Sequence, residues 1–283
     1  MVYMNKKALF SFEIFPPKPD KPIEAISGIS KGLTDLKPDY ISITYGAGGL
    51  ISGGNETLEL AYSLKNEFKT KTLVHLSAIH NSIEDVDNFL NEMKKKGLSD
   101  VLALRGDRQE GRPLSPNFVY ASDLIKYIKT KGSFNIAAAC CPEGHIESKS
   151  LKEDTKYLKL KVDSGAAHLN SQMCFDNEEF YRFLDRARKA KINVPIQAGI
   201  MPVVRAGQIE RIITLSGVKF PSKFSRIIAK YANNPIALKD AGIAYATEQI
   251  IDLLTAGVDG VHLYVMNNVE VAERITKAVK SFL

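Results

Sequence analysis

The chain reads as an α/β protein folded as a single (β/α)8 TIM barrel over residues 1–283. Three observations predict this. Short β-branched or aromatic runs recur along the whole length, each run ends in glycine or polar residues, and each is followed by apolar residues at three- and four-residue spacing. Eight such units in a chain of this size favour a closed parallel barrel with right-handed crossovers over an open sheet.

The expected strands follow in order. Ala8 to Phe15 carries Glu13 and is stopped by Pro16-Pro17. Tyr40 to Tyr45 opens into Gly46-Ala47-Gly48-Gly49, and Thr72 to Ile79 carries His75. Asp100 to Leu104 runs out at Arg105-Gly106-Asp107, and Asn135 to Cys141 at Pro142-Glu143-Gly144-His145. His168 to Met173 carries Gln172, Val194 to Ile200 precedes a helix opened by Gln208, and Gly260 to Val265 carries His262. Ser82 to Lys96, Glu147 to Ser164 and Asn177 to Lys191 have helical spacing. In the second of these, Leu151, Thr155, Leu158 and Val162 share a face. Lys94-Lys95-Lys96 before Gly97 suits a helix end, where cations meet the negative pole of the dipole. Ser216 to Ala256 is longer than one crossover needs and is expected to hold two or three helices, broken at Pro221 and Pro235.

Composition narrows the function. With 45% hydrophobic and 25% charged residues the chain can bury a sizeable core. It has no apolar run of about 18 residues and no leader pattern, so neither a membrane span nor secretion is expected, and the expected compartment is cytoplasmic. Three cysteines, two of them adjacent, do not make a disulfide framework, and reduced thiols are expected. The net charge of +6 lacks the aromatic-interleaved basic patch of a nucleic-acid binder, yet it would attract an anionic cofactor or substrate.

The candidate chemistry sits where strands end, the rim at which such barrels work. On a period of two, Glu13 faces with Ser11 and Phe15, and aromatic neighbours would raise its proton affinity as a general acid requires. A strand-end ion pair is the plainer reading. Gly106 permits a tight turn and close approach to a ligand, between the opposite charges of Arg105 and Asp107. A surface turn is the alternative there. The glycines at 46, 48, 49, 53 and 54 form neither a dinucleotide fingerprint nor a P-loop. Adjacent Cys140 and Cys141 cannot easily share one tetrahedral zinc and no second paired motif exists, so no metal site is assigned. His145 suits a polar or anionic ligand, whereas His75 and His262 read equally well as core histidines.

Taken together, Phe12-Glu13-Ile14-Phe15-Pro16-Pro17, Thr44-Tyr45-Gly46-Ala47, Leu104-Arg105-Gly106-Asp107, Tyr120-Ala121-Ser122-Asp123, Pro142-Glu143-Gly144-His145 and Gln172 with Phe175-Asp176 resemble, in order, the methylenetetrahydrofolate reductase family. The resemblance implies a barrel that binds FAD, rather than FMN, and reduces 5,10-methylenetetrahydrofolate to 5-methyltetrahydrofolate by ping-pong hydride transfer. It makes Glu13 the general acid and puts Asp107 beside flavin and pterin. It maps flavin contacts onto Thr44, His75, Arg105, Gly106, Asp107, Tyr120, Ala121, Cys141, His145, Asp154 and Lys161, and folate contacts onto Glu13, Gln172 and Gln208. Homo-oligomers are common in the family, but no residue here specifies an interface.

Three departures accompany the match. Cys141 stands where relatives place a flavin-contacting tyrosine, Ile212 where well-known bacterial enzymes have a stacking phenylalanine, and Asn268 where they have an arginine. A branched aliphatic offers no aromatic face for stacking. Weak direct reduction by NADH or NADPH is therefore expected, with a partner protein as the alternative electron donor. The regulatory extension of eukaryotic relatives is not expected, nor is feedback by S-adenosylmethionine. Two rival readings are a pterin-binding methyltransferase barrel and a non-catalytic folate-binding subunit.

Overall fold

The structure, a computed structural model, describes residues 7–17, 21–45, 53–108, 110–209, 212 and 217–283. Its strands are β1 (Leu9–Ile14), β2 (Tyr40–Ile43), β3 (Thr72–Ser77), β4 (Asp100–Leu104), β5 (Asn135–Cys140), β6 (His168–Met173), β7 (Ile196–Ile200) and β8 (Gly260–Tyr264). They close into a barrel in the order β1 to β8. The expected (β/α)8 class is therefore the one observed. The glycine loop that follows Tyr45 lies outside the described residues.

The chain divides into two compact units. One comprises Ser11–Ala139 with Leu158–Leu169, the other Met1–Phe10 with Cys140–Tyr157 and Asn170–Leu283. In the first, β1 to β5 pair in parallel, with Glu13 opposite Ser42, Ser42 opposite Leu73 and His75 opposite Leu102. All six residues of β3 are buried, as expected for a parallel strand covered on both faces. Helix α1 is Ser27–Thr34, α2 Gly53–Asn66, α3 Ile83–Lys95 and α4 Ala121–Thr130. The apolar stripe of α3, Val86, Phe89, Leu90 and Met93, faces inward. Its start is fixed by a capping box: the Asp85 amide donates to Ser82 Oγ (3.1 Å) and the Ser82 amide to the Asp85 carboxylate (2.8 Å). It ends in the predicted lysine run, before Gly97 at φ +64°.

The second unit holds β7 and β8, with Gln197 opposite Gly260, together with α6 (Asn177–Lys189), α7 (Ser222–Tyr231), α8 (Pro235–Thr255) and α9 (Val269–Val279). Pro221 and Pro235 mark the helix starts expected of them. Asn234 Oδ1 accepts the Ala237 amide at 3.1 Å, and Pro235 occupies the first helical turn, where its missing N–H costs nothing. An aromatic group of Phe175, Phe220, Phe224 and Tyr245 packs here, the last two stacked with ring centroids 4.2 Å apart. Beyond β8, Met266 (φ 50°) and Asn267 (φ 56°) are both left-handed, in a turn closed by Asn268 N–H to Val265 O (2.9 Å).

Several boundaries fall one or two residues inside the expected ones, and two of the differences have a clear cause. β7 begins at Ile196 rather than Val194 because Pro195 has no N–H to pair, and the Ile196 amide goes instead to the Asp259 carboxylate at 3.0 Å. Helix α5 is Leu151–Asp163 and starts four residues after Glu147, since the preceding loop is bonded to Asp154. Of the face predicted for it, Leu158 is buried while Leu151 is exposed.

Gly242 lets α8 pass close to the chain after β7: a Cβ there would lie 1.9 Å from Val203 O, a backbone atom that cannot rotate aside. Gly242→Ala is expected to cost about 1–3 kcal/mol, read as a lower urea midpoint with an unchanged slope.

Candidate active site

Glu13 lies near the C-terminal end of β1, its side chain 14% exposed, with Oε2 3.7 Å from His75 Nε2. His75 is buried on β3, and the same nitrogen is 2.6 Å from Ser42 Oγ on the intervening strand. The carboxyl thus faces an imidazole and a hydroxyl. Phe12 and Ile14, which flank it in sequence, are both fully buried and belong to the opposite pleat.

Thr44 follows β2. Its amide donates to Ile14 O (3.1 Å) and its carbonyl accepts Thr57 Oγ1 (2.8 Å), while its own Oγ1 is buried with no hydrogen-bond partner among the described residues. An orphaned buried hydroxyl calls for an explanation.

The Arg105-Gly106-Asp107 turn is held from the loop after β3. Arg105 O accepts from Ile79 N (2.7 Å), Ala78 N (3.1 Å) and Ser77 Oγ (3.3 Å). Asn81 Nδ2 braces that loop, donating to Ser77 O (2.6 Å) and to the Tyr45 hydroxyl (3.2 Å), whose phenol burial pushes upward. His80 reaches from the same loop, Nε2 to Asp107 O (3.2 Å) and Nδ1 to Pro113 O (2.8 Å). Gly106 sits at φ +87°, and a Cβ on it would fall 2.0 Å from Ser77 Oγ, so only glycine fits this turn. The Asp107 side chain is exposed. Tyr120, half exposed, and Ala121 start α4, with the Tyr120 amide bonded to the Asp123 carboxylate (2.9 Å). Lys161 Nζ donates to Ala139 O (2.9 Å).

The remaining predicted residues lie in the other unit. The loop after β5 runs through Cys141 to His145. The His145 amide donates to Asp154 Oδ1 (3.0 Å), which also accepts Ser148 Oγ (3.1 Å). His145 Nδ1 accepts the Glu147 amide (3.1 Å), which puts the ring proton on Nε2 as a donor. Arg186 donates to Pro142 O (2.6 Å), and the Lys219 amide to the Glu143 carboxylate (3.2 Å). Burial raises the Glu143 carboxyl above the usual carboxylate range; the Lys219 bond opposes the shift and Glu179 adds to it. Gln172 Oε1 accepts the Met173 amide (3.0 Å), and Gln208 Oε1 accepts those of Val204 and Arg205 (2.9 Å each), so both amides brace their own loops. Among the described residues no group of three or more His, Cys, Asp or Glu is arranged to hold a metal, and no helix is long and apolar enough to cross a membrane.

Sequence reasoning passed over Ser42, His80 and Glu143. Ser42 had a signal, a small polar residue inside an otherwise apolar strand. His80 had none, since its role depends on carbonyls far along the chain.

A family description, "Methylenetetrahydrofolate reductase", matches residues 2–280. The chain belongs to this family. An Arabidopsis thaliana methylenetetrahydrofolate reductase (NADH) 1 is 34% identical over 91% of the chain, which spans 46% of that protein. The 5,10-methylenetetrahydrofolate reductases of Pectobacterium carotovorum (32%) and Escherichia coli (31%) each align over 94% of the chain and 88% of their own length. The chain thus spans under half of its plant relatives and most of its bacterial ones. In structure it is similar to a Clostridium thermocellum protein described as binding two copies of 5-methyl-5,6,7,8-tetrahydrofolic acid, with a TM-score of 0.63 at 16% identity and coverage of 98% and 97%. At that identity the likeness concerns the fold.

Two tests follow for this member of the methylenetetrahydrofolate reductase family. A carboxyl raised in the folded state contributes stability below its unfolded value and loses that contribution as pH rises through the folded one. Glu143→Gln should therefore match the parent Tm near pH 4 and exceed it at pH 8. Burial pushes the Cys174 thiol up to about 12, and Cys140 is also buried. Iodoacetamide at pH 8 should label Cys141 and spare the other two, as read by peptide mass spectrometry.

Proposed function

We propose that the protein reduces 5,10-methylenetetrahydrofolate to 5-methyltetrahydrofolate with a bound flavin, FAD rather than FMN. The observation that carries the reading is the Glu13 carboxyl, mostly buried at a strand end and 3.7 Å from His75, in a chain of this family. Bound flavin would supply the hydride, taken from a reductant and returned to the folate.

The residues fit such a cofactor. The Thr44 hydroxyl, buried without a hydrogen-bond partner among the described residues, offers a donor or acceptor, and the tight Gly106 turn packed on Ser77 carries Arg105 and Asp107. Arg105 and Lys161 supply positive charge suited to a pyrophosphate. The family resemblance also assigns Tyr120, Cys141 and His145 to the flavin, and Asp154 fixes the His145 amide.

The protein's own chemical task is proton delivery. Opening the five-membered ring of the folate needs a proton on a weakly basic nitrogen before hydride reaches the carbon, and Glu13 is the group proposed to hold it. Asp107, exposed after the Gly106 turn, is proposed to face the pterin and to place negative charge near the flavin. Gln172 and Gln208 are proposed to shape the folate side by fixing the loops they brace.

The electron donor is NAD(P)H or a partner protein. Ile212, 5% exposed, packs with Phe175, Val203 and Phe224, and Asn268 Oδ1 caps α9 through the Val271 amide (3.1 Å). Neither residue presents an aromatic face or a positive charge to a dinucleotide. We therefore favour the partner protein.

Glu13→Gln should abolish folate turnover, by a factor of about 10² or more, while an artificial donor still reduces the flavin. Full turnover in that variant would remove Glu13 as the acid. Asp107→Asn should shift the flavin potential and folate affinity together, and unchanged values would displace Asp107 from the site. In stopped flow, NADH should bleach the flavin far more slowly than turnover with the native donor; bleaching at catalytic speed would overturn the donor assignment. Mass spectrometry of the released cofactor distinguishes FAD from FMN, and a protein isolated without flavin would point to the methyltransferase reading instead.

A further inference from the structure

We infer that Ser42 is a positioning residue whose hydroxyl occupies the Nε2 lone pair of His75 and thereby keeps the catalytic proton on Glu13. This rests on the proposed role of Glu13 as the acid.

The geometry creates a competition. His75 Nε2 stands 3.7 Å from Glu13 Oε2, and imidazole is the stronger base than carboxylate by about two pH units in water. In the productive step the Glu13 O–H bond breaks, an N–H bond forms on the folate nitrogen, and the bonding pair stays on the carboxylate. In the competing step the same O–H bond breaks but the N–H bond forms at His75 Nε2. The carboxylate left behind has no proton to give.

Ser42 blocks the second route. Its Oγ is 2.6 Å from Nε2, closer than the carboxylate, and the hydroxyl is fully buried, so bulk water does not replace it. A hydroxyl that donates to Nε2 fills the lone pair that a proton from Glu13 would otherwise take. Parallel register fixes this arrangement, since Ser42 pairs with Glu13 on one side and with Leu73, two residues before His75, on the other.

Other titratable groups on the flanking elements have partners of their own. Tyr40 on β2 packs edge-on against His168, Arg105 after β4 donates to Gly106 O, and His80 faces the carbonyls of Asp107 and Pro113. Asp107 itself is exposed. β8, beside β1 in the strand order, carries His262 in edge contact with Tyr264, whose hydroxyl donates to Ser171 O. Ser42 Oγ, at 2.6 Å, is the hydroxyl seated against His75 Nε2.

Histidine NMR tests this on the full-length flavoprotein with ¹⁵N-labelled imidazoles. The chain has five histidines, and His75→Gln assigns the relevant signals. At pH 7 the parent should show His75 neutral with Nε2 unprotonated. In Ser42→Ala the His75 midpoint should rise by about one pH unit or more, and the folate half-reaction at pH 7 should fall about tenfold, with the alkaline limb that reports loss of the Glu13 proton moved to lower pH. A proton on Nε2 in the parent would overturn the inference, as would a Ser42→Ala protein whose His75 titrates like the parent. If Ser42→Ala does not fold, Ser42→Cys, whose thiol is a weaker donor, takes its place with the same expected rise in the His75 midpoint. Full turnover by Glu13→Gln would instead sink the assignment of the acid, so the two failures are told apart.

Discussion

Strand register is the constraint on which the site depends. Glu13, Ser42 and His75 come from three successive strands, and no two of them lie within a turn of each other in sequence. Pairing of Glu13 with Ser42 and of Ser42 with Leu73 brings them together. A slip of one residue would turn Glu13 toward the layer now filled by Phe12 and Ile14, both fully buried. Large apolar groups on one pleat thus secure the polar groups on the other.

The loops add a second level of control that relies on backbone atoms. The turn carrying Asp107 is grasped through the carbonyls of Arg105 and Asp107, and the loop carrying His145 through its own amide and Pro142 O. Contacts of this kind leave side chains available for chemistry. They also explain why Asp154, Gln172 and Gln208 sit where a cofactor or substrate residue is expected and yet bond chiefly to nearby main chain. Such residues shape a surface by holding the chain beneath it.

The fold was legible because barrel strands carry their signal locally. Runs of apolar residues with glycine or polar ends gave every strand within two residues, and proline gave the breaks at 221 and 235. What failed was equally physical. The start of α5 depends on Asp154 reaching back to His145 and Ser148, and the start of β7 on what Pro195 lacks. The site was legible as a set of residue types at strand ends, but its partnerships were not. Phe12, the aromatic residue next to Glu13, lies on the other face, and the imidazole facing it comes from a strand some sixty residues later. Ile212 and Asn268 stood out as departures from a pattern, and the structure gives them positive roles as core filler and helix cap.

The turn leaving β8 carries backbone strain. Met266 and Asn267 adopt adjacent left-handed conformations, which asparagine accepts readily and methionine does not, so the strain of this turn falls on Met266. The Asn268 amide bond to Val265 O and the cap that Asn268 places on α9 hold it between strand and helix. The link between the last strand and the last helix is thus a place where tertiary packing, and not local preference, sets the backbone.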